Sequence, residues 1–116
     1  MIQGGGFTQD GTLKRTRQPI KLEASNSLGN TTGTIAMART NDSDSATSQF
    51  FINLIDNDFL NASPNNQGYA VFGFVTFGME VVKTIATAKT ASRGPHGDWP
   101  KEDIVIKRTT YMKVAR

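Results

Sequence analysis

The sequence has no cysteine, a single histidine and no apolar run long enough to span a membrane. Without cysteine it can form neither a disulfide framework nor a thiolate metal site. The one histidine, His96, cannot supply a two-ligand metal site, and the glycines and prolines around it are typical of a loop. Residues 1–6 lack the basic and apolar regions of a secretory leader. We therefore expect a soluble protein that uses no metal or cofactor and carries no visible targeting signal.

The charge is mixed, with 13 basic and 10 acidic residues and a formal net charge of +3. This excess is too small and too scattered to indicate nucleic-acid binding by itself. The oxygen-rich stretch 41–45 lacks the glycine at the sixth position and the glutamate near the end of a calcium loop. We therefore interpret it as a solvated turn. The glycines at 4–6 lack the lysine and hydroxyl residue of a phosphate loop.

At 116 residues the chain is expected to form one domain, 1–116, made mainly of strands. Apolar residues alternate in several short runs, whereas one run repeats them at helical spacing. Long polar loops separate these runs, which favours an antiparallel barrel or sandwich. The strands are predicted over 1–3, 20–23, 34–38, 49–54, 69–76 and 103–114, the helix over 78–88, and a Gly/Pro-rich loop over 91–100.

The strand over 49–54 is central to the functional interpretation. Its alternation places Phe50, Ile52 and Leu54 on one face and Gln49, Phe51 and Asn53 on the other. An aromatic ring between two amides suits a binding surface, because the ring offers an apolar floor and the amides fix polar groups. A strand buried on both faces, with Phe51 simply in the core, fits the pattern equally well.

No nucleophile, metal site or cofactor motif is evident, while apolar and amide side chains lie on several strands. This combination favours the binding of an extended peptide, or a reaction without covalent chemistry. Prolyl isomerisation is such a reaction, since its barrier comes from amide resonance and falls when a twisted amide is stabilised.

Four stretches carry a resemblance to a known family: 1–8 (MIQGGGFT), 33–39 (GTIAMAR), 45–53 (SATSQFFIN) and 68–73 (GYAVFG). In this order they resemble the successive signatures of cyclophilins, the peptidyl-prolyl cis-trans isomerases, and the bacterial branch in particular. The resemblance implies an antiparallel β-barrel capped by helices, with an active groove on its outer face. It also implies proline-containing peptides and unfolded proteins as partners, no cofactor, no membrane, and a bacterial cytoplasmic or periplasmic location.

The same resemblance assigns the catalytic groove. Phe51 would form the floor of the proline pocket, with Met1 and Leu60 as its walls. Gln3 would hydrogen-bond the substrate backbone and help to order the catalytic arginine of the family.

The neighbouring subsite follows from the same comparison. Ala38, Arg39 and Gln49 would line it, with the main chain at Arg39 pairing to the peptide as in a strand. Phe59 stands where many eukaryotic members have the tryptophan that touches cyclosporin. Tyr69 stands where they have a histidine. Both replacements resemble bacterial members, so cyclosporin binding is expected to be weak.

The main departure from the family concerns its catalytic arginine, which lies a few residues before the position matched by Met1. The first strands and first helix of the family domain also precede that position. We therefore expect residues 1–116 to be the C-terminal portion of an incomplete barrel that needs a complementing N-terminal segment, because missing strands leave unpaired sheet edges. Arg39 matches a different position and is not assigned the catalytic role.

Three functional hypotheses follow. The first is an isomerase of Xaa-Pro bonds that assists folding. The second is a catalytically impaired, chaperone-like module that only binds proline peptides. The third, single-strand nucleic-acid binding on aromatic platforms, lacks clustered basic residues around Phe51, Phe59 and Tyr69. If Phe51 faces ligand, Phe51→Ala should leave the fold standing, whereas Phe50→Ala should cost about 3–5 kcal/mol as a core truncation.

Overall fold

A four-stranded antiparallel sheet forms the centre of the computed structural model, which describes residues 1–114. Its strands are β1 (Ile2–Gly4), β2 (Thr34–Met37), β3 (Phe50–Ile52) and β4 (Val71–Phe74), in the spatial order β1-β3-β2-β4. The strand predictions over 34–38, 49–54 and 69–76 are thus confirmed with shorter bounds, and the one over 1–3 is confirmed with a shift of one residue. The run 20–23 contributes only an isolated bridge between Ile20 and Ala46.

The register of the sheet places Phe51 at its middle. Phe51 is opposite Gln3 of β1 and opposite Ala36 of β2. Ala36 in turn pairs with Val71 of β4, after an irregularity in the register between Ile35 and Ala36. All four strands therefore meet around one aromatic side chain, which packs beside the small, fully buried Ala36.

One α-helix and two further strands follow β4 in the chain. Helix α1 spans Met79–Ala86 and buries Val82, so the helix predicted over 78–88 is confirmed. Strands β5 (Thr90–Arg93) and β6 (His96–Pro100) then form a hairpin. The fold class is therefore mainly β, as predicted, and within residues 1–114 the sheet does not close into a barrel. No described helix is long and apolar enough to cross a membrane.

Two predicted segments differ from the structure. The loop predicted over 91–100 is largely the β5–β6 hairpin, because Gly94, in the left-handed region with φ 57°, provides the reversal between the two strands. The strand predicted over 103–114 is wrong, since that segment is irregular and exposed throughout. Its alternating pattern finds no paired neighbour among the described residues, and a strand needs a ladder of hydrogen bonds to form.

The core is small and lies on the Phe51 face of the sheet. It is built from Ala36, Ala38, Phe51, Leu60 and Val71, with Tyr69 packed against it. Phe50 and Ile52, on the opposite face, are only half-buried. The face predicted to be the plain core face is therefore the less buried one, because the segment that carries Leu60 and Tyr69 covers the Phe51 face.

The turn over residues 8–12 contains a carboxylate whose titration can be predicted. The Thr8 hydroxyl and the Thr12 backbone N–H donate to Asp10, the latter over 3.0 Å, and these bonds lower the pKa of Asp10 from 3.8 to about 2. Because the folded-state pKa is the lower one, the stabilisation of this turn is fully present above pH 3.8 and is lost as the pH falls toward 2.

An NMR titration of the Asp10 carboxyl carbon measures this effect. We expect Thr8→Val, which removes the first and largest donor, to raise the pKa of Asp10 back toward its ordinary value of 3.8. An Asp10 pKa that stays low in the Thr8→Val variant would contradict the assignment.

Candidate functional site

A pocket of about 120 Å³ opens over the Phe51 ring. An apolar cavity of about 150 Å³ is known to hold benzene, so this pocket has the size for one five-membered ring. Its lining combines apolar side chains with one amide and one guanidinium, drawn from β1, from the end of β2, from β3 and from the segment 60–69. The lining residues are Met1, Gln3, Ala38, Arg39, Phe51, Leu60 and Tyr69.

Phe51 is both the floor of this pocket and the largest buried apolar side chain, with 2% of its surface exposed. Tyr69 packs against it edge to face, with ring centroids 5.8 Å apart. Ala36 and Ala38, on the neighbouring strand and just beyond its end, are buried beside it in the same core cluster. Phe51 is therefore a core residue at the base of the pocket, and its contact with a ligand stays a prediction.

Leu60 forms a wall of the pocket, whereas Phe59 does not. Both belong to the single turn of 3₁₀-helix Asp58–Leu60. Successive side chains on such a turn point about 120° apart, so when Leu60 turns inward, its neighbour turns out. Phe59 is 74% exposed and lies outside the pocket lining. The structure thus does not bring Phe59 to the predicted pocket, and any contact of its ring with a ligand stays a prediction.

The Arg39 guanidinium is engaged by the protein itself. Its Nη2 and Nε donate to the Gly68 carbonyl oxygen over 2.7 and 3.2 Å, and Nη1 donates to the Thr40 carbonyl over 2.9 Å. The guanidinium carbon also lies 4.5 Å from the centre of the Tyr69 ring, within cation–π range. Arg39 therefore ties the end of β2 to the segment 68–69 and supports the Tyr69 wall.

Gln3 and Gln49 form a pair at the rim of the pocket. Gln3 Nε2 donates to Gln49 Oε1 over 2.9 Å, which joins β1 to the residue that precedes β3. Gln49 is not itself part of the pocket lining. The bond orients both amides and leaves Gln3 Oε1 as an acceptor beside the apolar floor, while the Gln49 side chain packs against Gly6.

Sequence reasoning missed a cluster of buried asparagines behind the pocket. Asn30 and Asn53 are both 0% exposed, and Asn57 is 8% exposed. Asparagine is common in polar loops, so composition alone does not indicate burial. The available signal was Asn53, which alternation places on the same face as Phe51, so that burial of Phe51 implies burial of Asn53.

His96 lies in β6 and contacts aromatic rings away from the pocket. Its ring centroid is 5.1 Å from that of Phe7 and 5.4 Å from that of Trp99. Within residues 1–114, no three side chains of His, Cys, Asp or Glu are grouped closely enough to hold a metal ion.

Comparison with known proteins gives consistent results. The peptidyl-prolyl cis-trans isomerase of Acinetobacter baylyi is 58% identical over 106 residues, which cover 91% of this chain and 56% of that protein. Peptidyl-prolyl cis-trans isomerase B of Escherichia coli is 53% identical, with 97% of this chain and 71% of that protein covered. A Streptomyces antibioticus peptidyl-prolyl cis-trans isomerase is 56% identical, with 97% and 69% covered. The chain thus spans only a little over half of the first relative's length.

The family comparison covers almost the whole chain. The sequence model of the family described as "Cyclophilin type peptidyl-prolyl cis-trans isomerase/CLD" matches residues 1–111. This range includes every element of the fold and every residue of the pocket over Phe51. From the family match and the relatives together, the chain belongs to the cyclophilin-type peptidyl-prolyl cis-trans isomerase family.

Proposed function

We propose that this chain provides the proline-binding groove of a peptidyl-prolyl cis-trans isomerase. The observation that carries the proposal is the pocket of about 120 Å³ over Phe51, which combines an apolar floor with an amide at its rim. A prolyl side chain is a compact apolar ring, and burying it there while the preceding carbonyl stays outside would hold one side of the rotating bond still. The names of the similar bacterial proteins support the same activity.

The groove residues would act by holding the peptide while its amide twists. The rotational barrier of about 18–20 kcal/mol arises from amide resonance, and a site lowers it by favouring the twisted form. Gln3 would bind the substrate backbone, while the main chain at Arg39 would pair with the residues next to proline. Gln49 would orient Gln3 through their shared hydrogen bond.

A donor toward the prolyl nitrogen would have to come from elsewhere. The Arg39 guanidinium lines the pocket, but its three nitrogens already donate to the carbonyl oxygens of Gly68 and Thr40. We propose that residues 1–116 are the C-terminal portion of the family domain and that a complementing segment supplies the arginine. The chain covers 56% of the Acinetobacter baylyi relative and 71% of the Escherichia coli relative, so both contain residues without a counterpart in this chain.

An NMR titration tests the groove directly. Labelled protein is mixed with the tetrapeptide Ala-Ala-Pro-Phe, and with Ala-Ala-Ala-Phe as the ligand control. We expect the proline peptide alone to shift the amide signals of Phe51, Leu60 and Tyr69. Exchange spectroscopy on the same samples measures cis–trans exchange of the peptide, which is slow without catalysis.

A pair of glutamine variants sharpens the test. Gln3→Ala should weaken binding of the proline peptide by roughly tenfold, because a hydrogen bond to the peptide and the orientation of Gln49 are both lost. Gln9→Ala is the matched control, since Gln9 is exposed in the loop after β1 and outside the pocket. Equal affinities for the two tetrapeptides, or equal effects of the two variants, would overturn the proposed function.

The second candidate is a module that binds proline peptides without catalysing their isomerisation. The engagement of the Arg39 guanidinium by Gly68 and Tyr69 favours it for residues 1–116 alone. Proline-specific binding without accelerated exchange would support this candidate, whereas full activity would contradict the need for a complementing arginine. Cyclosporin binding is proposed to be weak in either case, and nanomolar inhibition of the enzyme would refute that.

A further inference from the structure

The floor and the walls of the pocket are connected from behind by buried asparagine amides. Asn53 follows β3, two residues after Phe51, and its Nδ2 donates to Asn30 Oδ1 over 3.0 Å. The same Nδ2 donates to Thr34 Oγ1 over 2.9 Å, which fixes the amide against β2. One end of this chain of bonds is therefore attached to the strand that carries the pocket floor.

The other end of this series of hydrogen bonds reaches the pocket walls. Asn30 Nδ2 lies 3.2 Å from the carbonyl oxygen of Leu60, 3.3 Å from that of Tyr69 and 3.1 Å from Asn61 Oδ1. Leu60 and Tyr69 are also joined to each other, since the Tyr69 backbone N–H donates to the Leu60 carbonyl over 2.9 Å. A single amide group thus contacts the backbone of both residues whose side chains form the walls.

Burial makes this arrangement sensitive to change. Asn30 and Asn53 are fully buried, and no buried side-chain nitrogen or oxygen atom among the described residues lacks a hydrogen-bond partner. A complete buried network holds its members in one geometry, whereas removal of one member leaves its partners unpaired and costly. The walls are otherwise carried by a long segment with only one turn of regular structure, Asp58–Leu60.

We propose that Asn30 and Asn53 are positioning residues that set the distance between the Phe51 floor and the Leu60–Tyr69 walls. They touch no ligand; they act through the wall residues. Asn30 fixes the walls, and Asn53 ties Asn30 to the strand of the floor. The inference rests on the proposed function for its binding consequences, although the geometry it describes can be tested without a ligand.

The test compares three variants of the full chain by NMR. Asn30→Ala removes the amide that contacts both walls. Asn61→Ala removes the half-buried side chain whose Oδ1 accepts from the Asn30 Nδ2 over 3.1 Å and from the Asn30 backbone N–H over 2.7 Å. Val82→Ala is the control for a loss of stability alone, because Val82 is buried in α1 and belongs neither to the pocket lining nor to the asparagine hydrogen bonds. Each variant is measured below its own unfolding temperature.

The first readout is the nuclear Overhauser contact between the Phe51 and Tyr69 rings, together with hydrogen exchange of the Tyr69 amide. We expect Asn30→Ala, and to a lesser degree Asn61→Ala, to weaken this contact and speed the exchange, while Val82→Ala lowers stability only. The inference is overturned if all three variants keep the wild-type contact. If Asn30→Ala does not fold, the Asn61→Ala result decides in the same way.

The second readout is the Kd for Ala-Ala-Pro-Phe. In Asn30→Ala the walls must be ordered on binding, so the Kd should rise by roughly tenfold, with little change in Val82→Ala. If the wild-type chain binds no proline peptide, the proposed function fails, and the ring contact still decides whether the asparagines position the walls.

Discussion

Phe51→Ala is expected to lower the free energy of unfolding by about 3–5 kcal/mol, the range for deletion of a buried aromatic ring. Phe51 is 2% exposed and lies among the few apolar residues that form the core. It also supports Tyr69 through an edge-to-face contact at 5.8 Å. Few core residues remain to compensate for its loss, so the variant should also lose the pocket.

Urea denaturation followed by circular dichroism measures this loss, with Phe50→Ala as the matched control. Phe50 is adjacent in β3 but only half-buried, so its truncation should cost less than that of Phe51. This order is the reverse of the one expected if Phe51 faces ligand and Phe50 faces the core. A smaller loss for Phe51→Ala than for Phe50→Ala would restore the interpretation of Phe51 as a ligand-facing residue alone.

Phe51→Leu separates the two roles of the ring. Leucine keeps most of the buried apolar volume but gives the pocket a smaller, non-planar floor. We expect this variant to fold and to bind the proline tetrapeptide more weakly than the wild type does.

Gly68→Ala is expected to be the most disruptive single-methyl change in the segment that forms the walls. Gly68 has φ +77°, and an added Cβ would lie 2.4 Å from the Ala62 backbone nitrogen. The left-handed conformation alone costs an L-residue roughly 1–2 kcal/mol. The clash adds to this, because the obstacle is backbone and can move only if the segment shifts. The Gly68 carbonyl would then lose its alignment with Arg39.

Gly78→Ala provides the matched control for that prediction. Gly78 has a similar φ of +91° before α1, but an added Cβ there would meet no atom within 4 Å. Thermal unfolding should therefore show a clearly larger fall in Tm for Gly68→Ala than for Gly78→Ala. Equal falls would mean that backbone strain alone, and not the packing of Gly68 against Ala62, determines the effect.

The regular elements that were predicted well are those whose pattern is local. The alternation around Phe51 and the helical spacing of Met79, Val82 and Ile85 were each sufficient to place an element. The β5–β6 hairpin was missed because its strands contain few apolar residues and all of β5 is exposed. The segment 103–114 shows the opposite error, since it has a strand-like pattern but no paired neighbour among the described residues.

The pocket was predicted more completely than its support. Seven of the nine residues assigned to the groove line one cavity, and Gln49 bonds to one of them. These assignments came from the family motifs, which were matched to this sequence residue by residue. The asparagines that hold the walls come from separate loops, around positions 30, 53 and 61, and their convergence depends on how those loops pack.

The sequence by itself determined the family, the mainly β character and the identity of the residues around the pocket, because these depend on motifs and on period-two alternation. The tertiary structure alone decided which face of β3 is buried. It also decided that Arg39 serves the protein's own backbone and that Asn30 and Asn53 are structural. Burial and hydrogen-bond partners are set by segments distant in the chain, and local patterns do not contain that information.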